Sequence, residues 1–524
     1  MIPYIGEKNG LKTLFVHDRP FIIRGGELHN SSSSDLEYMK TRVWPNLRTL
    51  NMNTVILPVA WECIEPEEGS FDFSLVDGII RQARQENMKL VFLWFGLWKN
   101  SESYYVPVWM KQDTKTYWCA EDVQGSRLNI VSPFCDAAVE KDALAFGKLM
   151  EHIKSIDEEE NTVVMIQVEN EIGVLGAERD FSRKASEIFE GSVPEDIKHL
   201  FEQDERFPAK MDGTSWAQVF GEDASELFMS WGYARAVEKI ARAGQNVYPL
   251  PMYANAWLEQ HPWRPGTYPS GGPVLKVHKM WKHCAPSLFT LGPDIYVSYT
   301  ADIMDAYGSY DNPLFVPEVR SDAGSVSYLL YGICKKHGIG VSPFGVEDCC
   351  ADPVTLKKPP FAVMMALNID LSAMDSSKTA PYLSAVYGLI RDLEPLYFQY
   401  RNTSHMEAFA KHGFSDDGIL LSFEQYDIVV SYERTEPGKP VGSGVIFELD
   451  PGHFLVAGMN FSFEVYPKAG ERKIAVMGQR REGRLEEGKF VSGRILNGDE
   501  RRDTRLGDMP EVMDVKMYSI DMEK

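Results

Sequence analysis

The chain has 524 residues, 44% of them hydrophobic, which is ample for a packed core and too apolar for a disordered polypeptide. Its length suits a barrel of ordinary size with a smaller second domain. Lys and Arg number 54 against 76 Asp and Glu, a formal net charge of −22; a surface this acidic repels phosphate backbones and anionic lipid, so nucleic-acid and membrane partners are disfavoured. None of the seven cysteines forms a CxxC pair, and the adjacent Cys349 and Cys350 suit neither a regular disulfide nor a zinc cage. All seven read as reduced thiols. The N-terminus, Met1-Ile-Pro-Tyr-Ile-Gly-Glu-Lys8, lacks the basic start and apolar core of a secretory signal, and no uncharged run reaches membrane-spanning length. The expectation is a cytoplasmic protein.

Strand-like and helix-like segments alternate over the first three quarters of the chain. A short β run at 21–24 precedes Ser34, a candidate N-cap for a helix over 35–51. Apolar runs at 54–57 and 90–95 read as the second and third strands, separated by a helix around 75–87. An amphipathic helix over 136–156 carries Val139, Leu149 and Ile153 among its inward positions, and the run 163–168 forms the fourth strand. An acidic, aromatic insertion at 177–216 interrupts the rhythm. A helix over 228–243 then leads to a fifth strand at 250–253, with 294–297, 314–317 and 338–342 as the sixth, seventh and eighth. Helices over 360–371 and 382–394 complete the set. Eight such repeats predict an α/β fold, a (β/α)8 TIM barrel over residues 1–400. Beyond 400 the short β runs 418–423, 428–432, 444–448, 454–457 and 512–520, separated by Gly, Pro and Asp, predict a small antiparallel, β-sandwich-like domain over 401–524.

Two barrel segments carry chemistry. Met165-Ile-Gln-Val-Glu-Asn-Glu171 and Leu314-Phe-Val-Pro-Glu318 are apolar runs that end in a carboxylate. Buried strands exclude ionisable groups unless function requires them, and the C-terminal lip of the strands is where this fold keeps its chemistry. Strands four and seven lie on opposite sides of a barrel, so Glu171 and Glu318 are predicted to face each other. Alternation along strand four predicts that Glu169 and Glu171 share a face and that Asn170 points away, unless the strand end bends. Paired carboxylates of this kind break glycosidic bonds: Glu171 with a raised pKa is the candidate acid, and Glu318, which Arg320 could hold ionised, the candidate nucleophile. That chemistry needs no metal or organic cofactor. GxSxG, P-loop, HExxH and GxGxxG frames are absent, and the eleven histidines show no metal spacing.

Asn170-Glu171 after strand four, with Glu318 after strand seven, resembles clan A of the glycoside hydrolases. Gln167-Val-Glu-Asn-Glu-Ile-Gly173 resembles the β-galactosidases of family 35, as does Trp61-Glu-Cys-Ile-Glu-Pro66 with Gly69-Ser-Phe-Asp-Phe73, which is also similar to family 42. Leu93-Trp-Phe-Gly-Leu-Trp-Lys-Asn100 and Tyr105-Val-Pro-Val-Trp109 resemble a bacterial subgroup of family 35 with a C-terminal β domain. The resemblance implies a retaining exo-β-galactosidase with Glu171 as acid/base, Glu318 as nucleophile and Asn170 as donor to the sugar's 2-hydroxyl. It implies an oligosaccharide or other β-galactoside as substrate, and leaves open whether the chain forms a homo-oligomer. The sequence departs from the commoner family 35 pattern in two places. The stretch that usually reads Ala-Glu-Trp is here Gly96-Leu97-Trp98, and the strand-two Trp-Asn pair is Trp61-Glu62. Sugar recognition is therefore assigned to Glu62, Lys99 or Asn100, and a β-glucosidase, an arabinopyranosidase, an endo-β-glycanase or a catalytically silent carbohydrate-binding protein remain the alternatives.

Trp61, Trp94, Trp98, Trp257 and Tyr296 fall at or just beyond predicted strand ends, where an aromatic ring can stack on the apolar face of a pyranose; each is also an ordinary core residue type. Tyr296 is the candidate hydrogen-bond partner of the nucleophile, with Tyr299 as its competitor. Glu27 and His29, after strand one, are candidates for lining the site or for structural roles.

Overall fold

The computed structural model describes residues 1–522 apart from 353, 355, 357–360, 367, 368, 371 and 469–471. Its centre is a (β/α)8 barrel of eight parallel strands in chain order: Gly25–Glu27, Thr54–Ala60, Lys89–Lys99, Val163–Asn170, Met252–Trp257, Leu288–Ile295, Phe315–Val319 and Gly340–Pro343. Bridges from Ile23 to Gly340 and from Glu27 to Phe344 join the first strand to the eighth and close the sheet on itself.

Alternation explains the two-sided packing. On the third strand Val91, Leu93 and Phe95 point into the barrel with Ile56, Met165, Tyr253 and Phe315, whereas Leu90, Phe92 and Trp94 join the core between sheet and helices. The floor of the barrel is plugged by an N-terminal hairpin, Tyr4–Lys8 and Leu11–Val16, whose Leu14 and Val16 belong to the interior cluster. The first strand lies just after the expected run 21–24, at Gly25-Gly26. A Cβ at Gly26 would sit 2.5 Å from the Val346 side chain, so glycine lets the first strand pack against the turn that follows the eighth. The sixth strand is Leu288–Ile295 and ends where 294–297 was expected to run. The helix expected over 35–51 is three short pieces, Leu36–Tyr38, a π turn Met39–Val43 and Trp44–Leu47. Asp35 rather than Ser34 caps it, accepting from the Tyr38 amide at 2.6 Å, and Pro45, which has no amide hydrogen to give, accounts for the widened turn.

The helices Ser74–Gln85, Asp136–Asp157 and Ala224–Gln245 pack on the outside. The insertion contains Arg183–Glu190 and Glu195–Phe201. Of the helix expected over 360–371, Phe361–Ala366 is helical, and residues 360, 367, 368 and 371 lie outside the described residues. Past the helix Thr379–Tyr400 the chain builds a six-stranded and a three-stranded antiparallel sheet. Phe409, Ile428, Val456 and Phe463 pack between the sheets, while Val445, Phe447 and Leu455 on the other face of the larger sheet join the main core. The hairpin Lys473–Glu486 and Lys489–Ile495 was not visible in the sequence, because its strands are charged and half-exposed. Among the described residues no helix is long and apolar enough to cross a membrane, and all seven cysteines are unpaired.

Candidate active site

The register of the barrel brings polar residues to one level at its lip. Asp294 on the sixth strand pairs with Glu318 on the seventh, Trp257 on the fifth with Asp294, and Lys99 on the third with Asn170 on the fourth. The end of strand four bends. Glu169 and Glu171 adopt left-handed backbone, φ 63° and φ 44°, a conformation costly for residues with a side chain and typical of functional sites. Strict alternation therefore fails: Asn170 and Glu171 both turn into the barrel mouth, and Glu169 turns away to the third strand.

Glu171 and Glu318 converge. One carboxylate oxygen from each of Glu171, Asp294 and Glu318 lies within 4.8 Å of the others, and all three side chains are buried. The Glu171 amide donates to Asn255 Oδ1 at 2.9 Å, and Asn100 Nδ2 donates to its carboxylate. Burial, reinforced by the negative charge of Glu318, raises the Glu171 pKa to about 7, against the opposing pull of Lys99. Glu318 accepts from the Tyr296 hydroxyl at 2.5 Å and, more distantly, from Asn170 Nδ2 and Asn255 Nδ2 at 3.4 Å each. Lys99 Nζ donates to Asn170 Oδ1 at 2.9 Å. Asp294 accepts from Asn255 Nδ2 at 2.6 Å; burial and the charges of Glu318 and Glu171 push its pKa well up. Burial beside Glu318 does the same to Glu27. Glu27, Glu171 and Asp294 crowd together beside Glu318, and burial with mutual repulsion favours the protonated form of those three. Glu171, Asp294 and Glu318 are the one group among the described residues spaced to hold a metal ion.

A cavity of about 190 Å³ opens over this cluster, lined at its base by Asn30, Lys99, Asn100, Glu171, Asp294, Tyr296 and Glu318. Lys99, Asn100, Trp257 and Tyr296 therefore lie where the sequence places them. Four other candidates do not. Trp61 is fully buried, donates from Nε1 to Glu65 at 2.6 Å and packs against Trp94 and Trp109. Glu62 is half-exposed in an ion pair with Lys111 at 2.9 Å. Trp98 is buried, with Nε1 on the Val131 carbonyl at 2.8 Å and its ring edge-on to Tyr233. Trp94 is likewise a core residue, bonded to Asp142. His29 sits to the side, paired with Asp348 at 2.8 Å. Tyr299 lines the outer cavity, away from the Tyr296–Glu318 bond. Arg320 does not reach Glu318: it pairs with Asp322 and lies 3.7 Å from Asp370. Asp294 and Asn255 were not singled out from the sequence. Both are polar residues at the ends of apolar strands, the same signal that marks Glu171 and Glu318, and Asp294 was hidden by Gly292-Pro293 just before it.

Beneath the site a second carboxyl pair fixes the third strand. Glu169 accepts from the Leu97 and Trp98 amides at 3.2 and 2.6 Å, and Asp142 from Leu97 at 2.9 Å and from Trp94 Nε1 at 2.7 Å. Burial and the neighbouring Asp142 raise the Glu169 pKa well above the carboxylate range, whereas burial takes Asp142 to about 6, restrained by its hydrogen bond from Glu169. Glu169 thus holds the shared proton. A Cβ at Gly96 would lie 2.4 Å from Glu169 Oε1 and 2.5 Å from Asp142, so glycine is required for this approach. The pair presents Lys99 and Asn100 to the cavity. Glu169→Ala leaves the Trp98 amide without its acceptor and Asp142 without its donor; we expect a loss of about 2–4 kcal/mol in chemical denaturation. A change below about 0.5 kcal/mol, the ordinary effect of a surface substitution, would contradict this role.

A (β/α)8 barrel with glutamates converging from its fourth and seventh strands is the arrangement that the resemblance to clan A glycoside hydrolases implies. Residues 13–225 match the family model of glycosyl hydrolases family 35, the family whose motifs the sequence resembles. Residues 383–506 match a domain of unknown function, DUF5597. Among solved structures the chain is similar to the β-galactosidase of Bacillus circulans sp. alkalophilus (11% identity, 94% of this chain and 99% of that one, TM-score 0.49). It is also similar to the catalytic domain of β-amylase from Paenibacillus polymyxa (10% identity, 62% and 92%, TM-score 0.47) and to the β-galactosidase of Marinomonas ef1 (12% identity, 71% and 60%, TM-score 0.44). No curated protein matches the chain.

Proposed function

We propose that the protein is a retaining exo-β-galactosidase. The observation that carries the reaction type is the convergence of Glu171 and Glu318, a carboxylate oxygen of each lying within 4.8 Å of the other, which favours the close-set pair of a retaining enzyme. In the first step a Glu318 oxygen attacks the anomeric carbon, the bond to the aglycone breaks, and the Glu171 proton passes to the leaving oxygen. In the second, Glu171 takes a proton from water, the hydroxide oxygen attacks the anomeric carbon, and Glu318 is released. Tyr296, Asn170 and Asn255 hold Glu318 in place, and the family resemblance gives Asn170 the role of donor to the 2-hydroxyl. Asn30 Oδ1 is buried at the cavity base with no protein partner, an acceptor available to a sugar hydroxyl. The galactose assignment rests on the motifs shared with family 35 β-galactosidases. A panel of nitrophenyl glycosides tests it: the β-galactoside should have the highest kcat/KM, and preference for a gluco- or arabino-configured substrate would overturn it.

The acid role sets a pH limb. A Glu171 pKa of about 7 leaves the acid mostly protonated below neutral pH and half protonated near pH 7. The kcat/KM for a substrate with a poor leaving group should fall about tenfold per pH unit above that value as the proton is lost. An alkaline limb centred below pH 5.5 would contradict the assignment.

A further inference from the structure

The cavity is divided chemically. Its base carries the carboxyl groups, Lys99 and the asparagines, whereas its outer wall is Trp257, Leu258, Trp263, Val297, Tyr299 and Met374. Trp263 and Tyr299 are 58% and 42% exposed, so these rings face the opening rather than the core. The carboxylate and the amide in that wall are engaged elsewhere. Glu259 pairs with Lys276 Nζ at 2.9 Å, and Lys276 is itself bound to Glu226 at 2.6 Å. Gln260 donates from Nε2 to the Thr267 carbonyl at 2.5 Å. The segment is fixed as well: Val174 and Ser270 exchange backbone hydrogen bonds at 3.0 and 2.8 Å, and the Ser270 hydroxyl bonds the Glu178 carbonyl at 2.5 Å.

A sugar in the outer position brings a ring of hydroxyl groups, each of which loses water on entry and needs a partner. Tryptophan faces stack on a pyranose, but with the carboxylate and the amide committed, the described side chains of the wall offer a ring of hydroxyls only the Tyr299 hydroxyl and the two indole N–H groups. A flat apolar group has no such requirement and gains from every ring it covers. We infer that the outer half of the cavity takes an apolar aglycone, an aryl-bearing alcohol, in preference to a second sugar. This rests on the glycosidase reading above and names the substrate class of the same site. The hydrophilic base selects the glycone, and the apolar mouth selects what leaves.

The test compares two glycosides of the same sugar that both release a primary alcohol, the 2-phenylethyl glycoside and the β-1,6-linked disaccharide, so that leaving-group acidity does not decide the result. The full-length enzyme should show kcat/KM at least about tenfold higher for the phenylethyl compound, the ratio that roughly 1.4 kcal/mol of ring contact supplies. In Trp257→Ala and Trp263→Ala that ratio should fall toward one, and Trp263→Phe should restore most of it. Binding of the non-hydrolysable 2-phenylethyl 1-thioglycoside, read from tryptophan fluorescence, should weaken by the same factor in the alanine variants, which guards against loss through misfolding. Equal or better hydrolysis of the disaccharide, or a ratio unchanged in both alanine variants, would overturn the inference. Failure to hydrolyse either compound or the activated nitrophenyl glycoside would instead remove the glycosidase reading, and this inference with it.

Discussion

Glu318→Gln should lower kcat by about 10⁴-fold or more, on activated and unactivated glycosides alike. The substitution preserves the shape of the side chain and lets the Tyr296 hydroxyl keep an acceptor, so folding is spared and the loss reports the missing oxygen nucleophile. The other carboxyl groups offer no substitute. Glu27 and Asp294 are buried and hold their protons, since burial and the surrounding carboxylates push both pKa values well up, and Glu171 sits on the opposite strand. Turnover within tenfold of wild type in a folded Glu318→Gln protein would remove the nucleophile assignment.

Glu171 produces a different pattern. Glu171→Ala should slow hydrolysis of alkyl glycosides by about 10²–10⁴-fold, the range of general acid catalysis, while the first step on a dinitrophenyl glycoside, which needs no protonation, stays near the wild-type rate. The second step then lacks its base, so external azide should restore turnover and give a β-glycosyl azide. Equal losses on both kinds of aglycone, with no rescue, would contradict the acid/base role. The same residue carries a stability signature. Its pKa rises from the ordinary carboxylate value in the unfolded chain to about 7 in the fold, so the native state binds the extra proton between these values. Stability is then full below about pH 4.5 and is lost as pH rises through 7. Glu171→Gln, which never ionises, should therefore be more heat-stable than the parent at pH 8, with no advantage at pH 4.5. No difference at pH 8 would show that the carboxyl is not strained by burial.

The barrel was legible because parallel strands buried on both faces read as continuous apolar runs, and because a carboxylate after such a run stands out. That logic found Glu171 and Glu318 from the chain alone, and it applies equally to Asp294 and Asn255 once the sixth strand is placed at Leu288–Ile295. What was not legible depends on backbone detail at the lip. Left-handed backbone at Glu169 and Glu171 reverses the alternation that would have put Asn170 outside. A register shift between Trp94 and Lys99 separates the inward Lys99 from Trp98, which turns into the core. Aromatic type could not tell Trp61 and Trp98, which fill the space between sheet and helices, from Trp257, which faces the cavity. Asp142 gave no sign either, since one acid on a mostly apolar helix face resembles any surface residue until the strand it supports is in view.

Covalent trapping tests the central claim most directly. The active enzyme is incubated with a 2-deoxy-2-fluoro galactoside bearing a good leaving group, digested, and the modified peptide is mapped. A single fluorosugar attached to Glu318, with activity lost in step with labelling, is the predicted result. A label on another residue, or complete turnover of the substrate with inversion and no adduct, would contradict it.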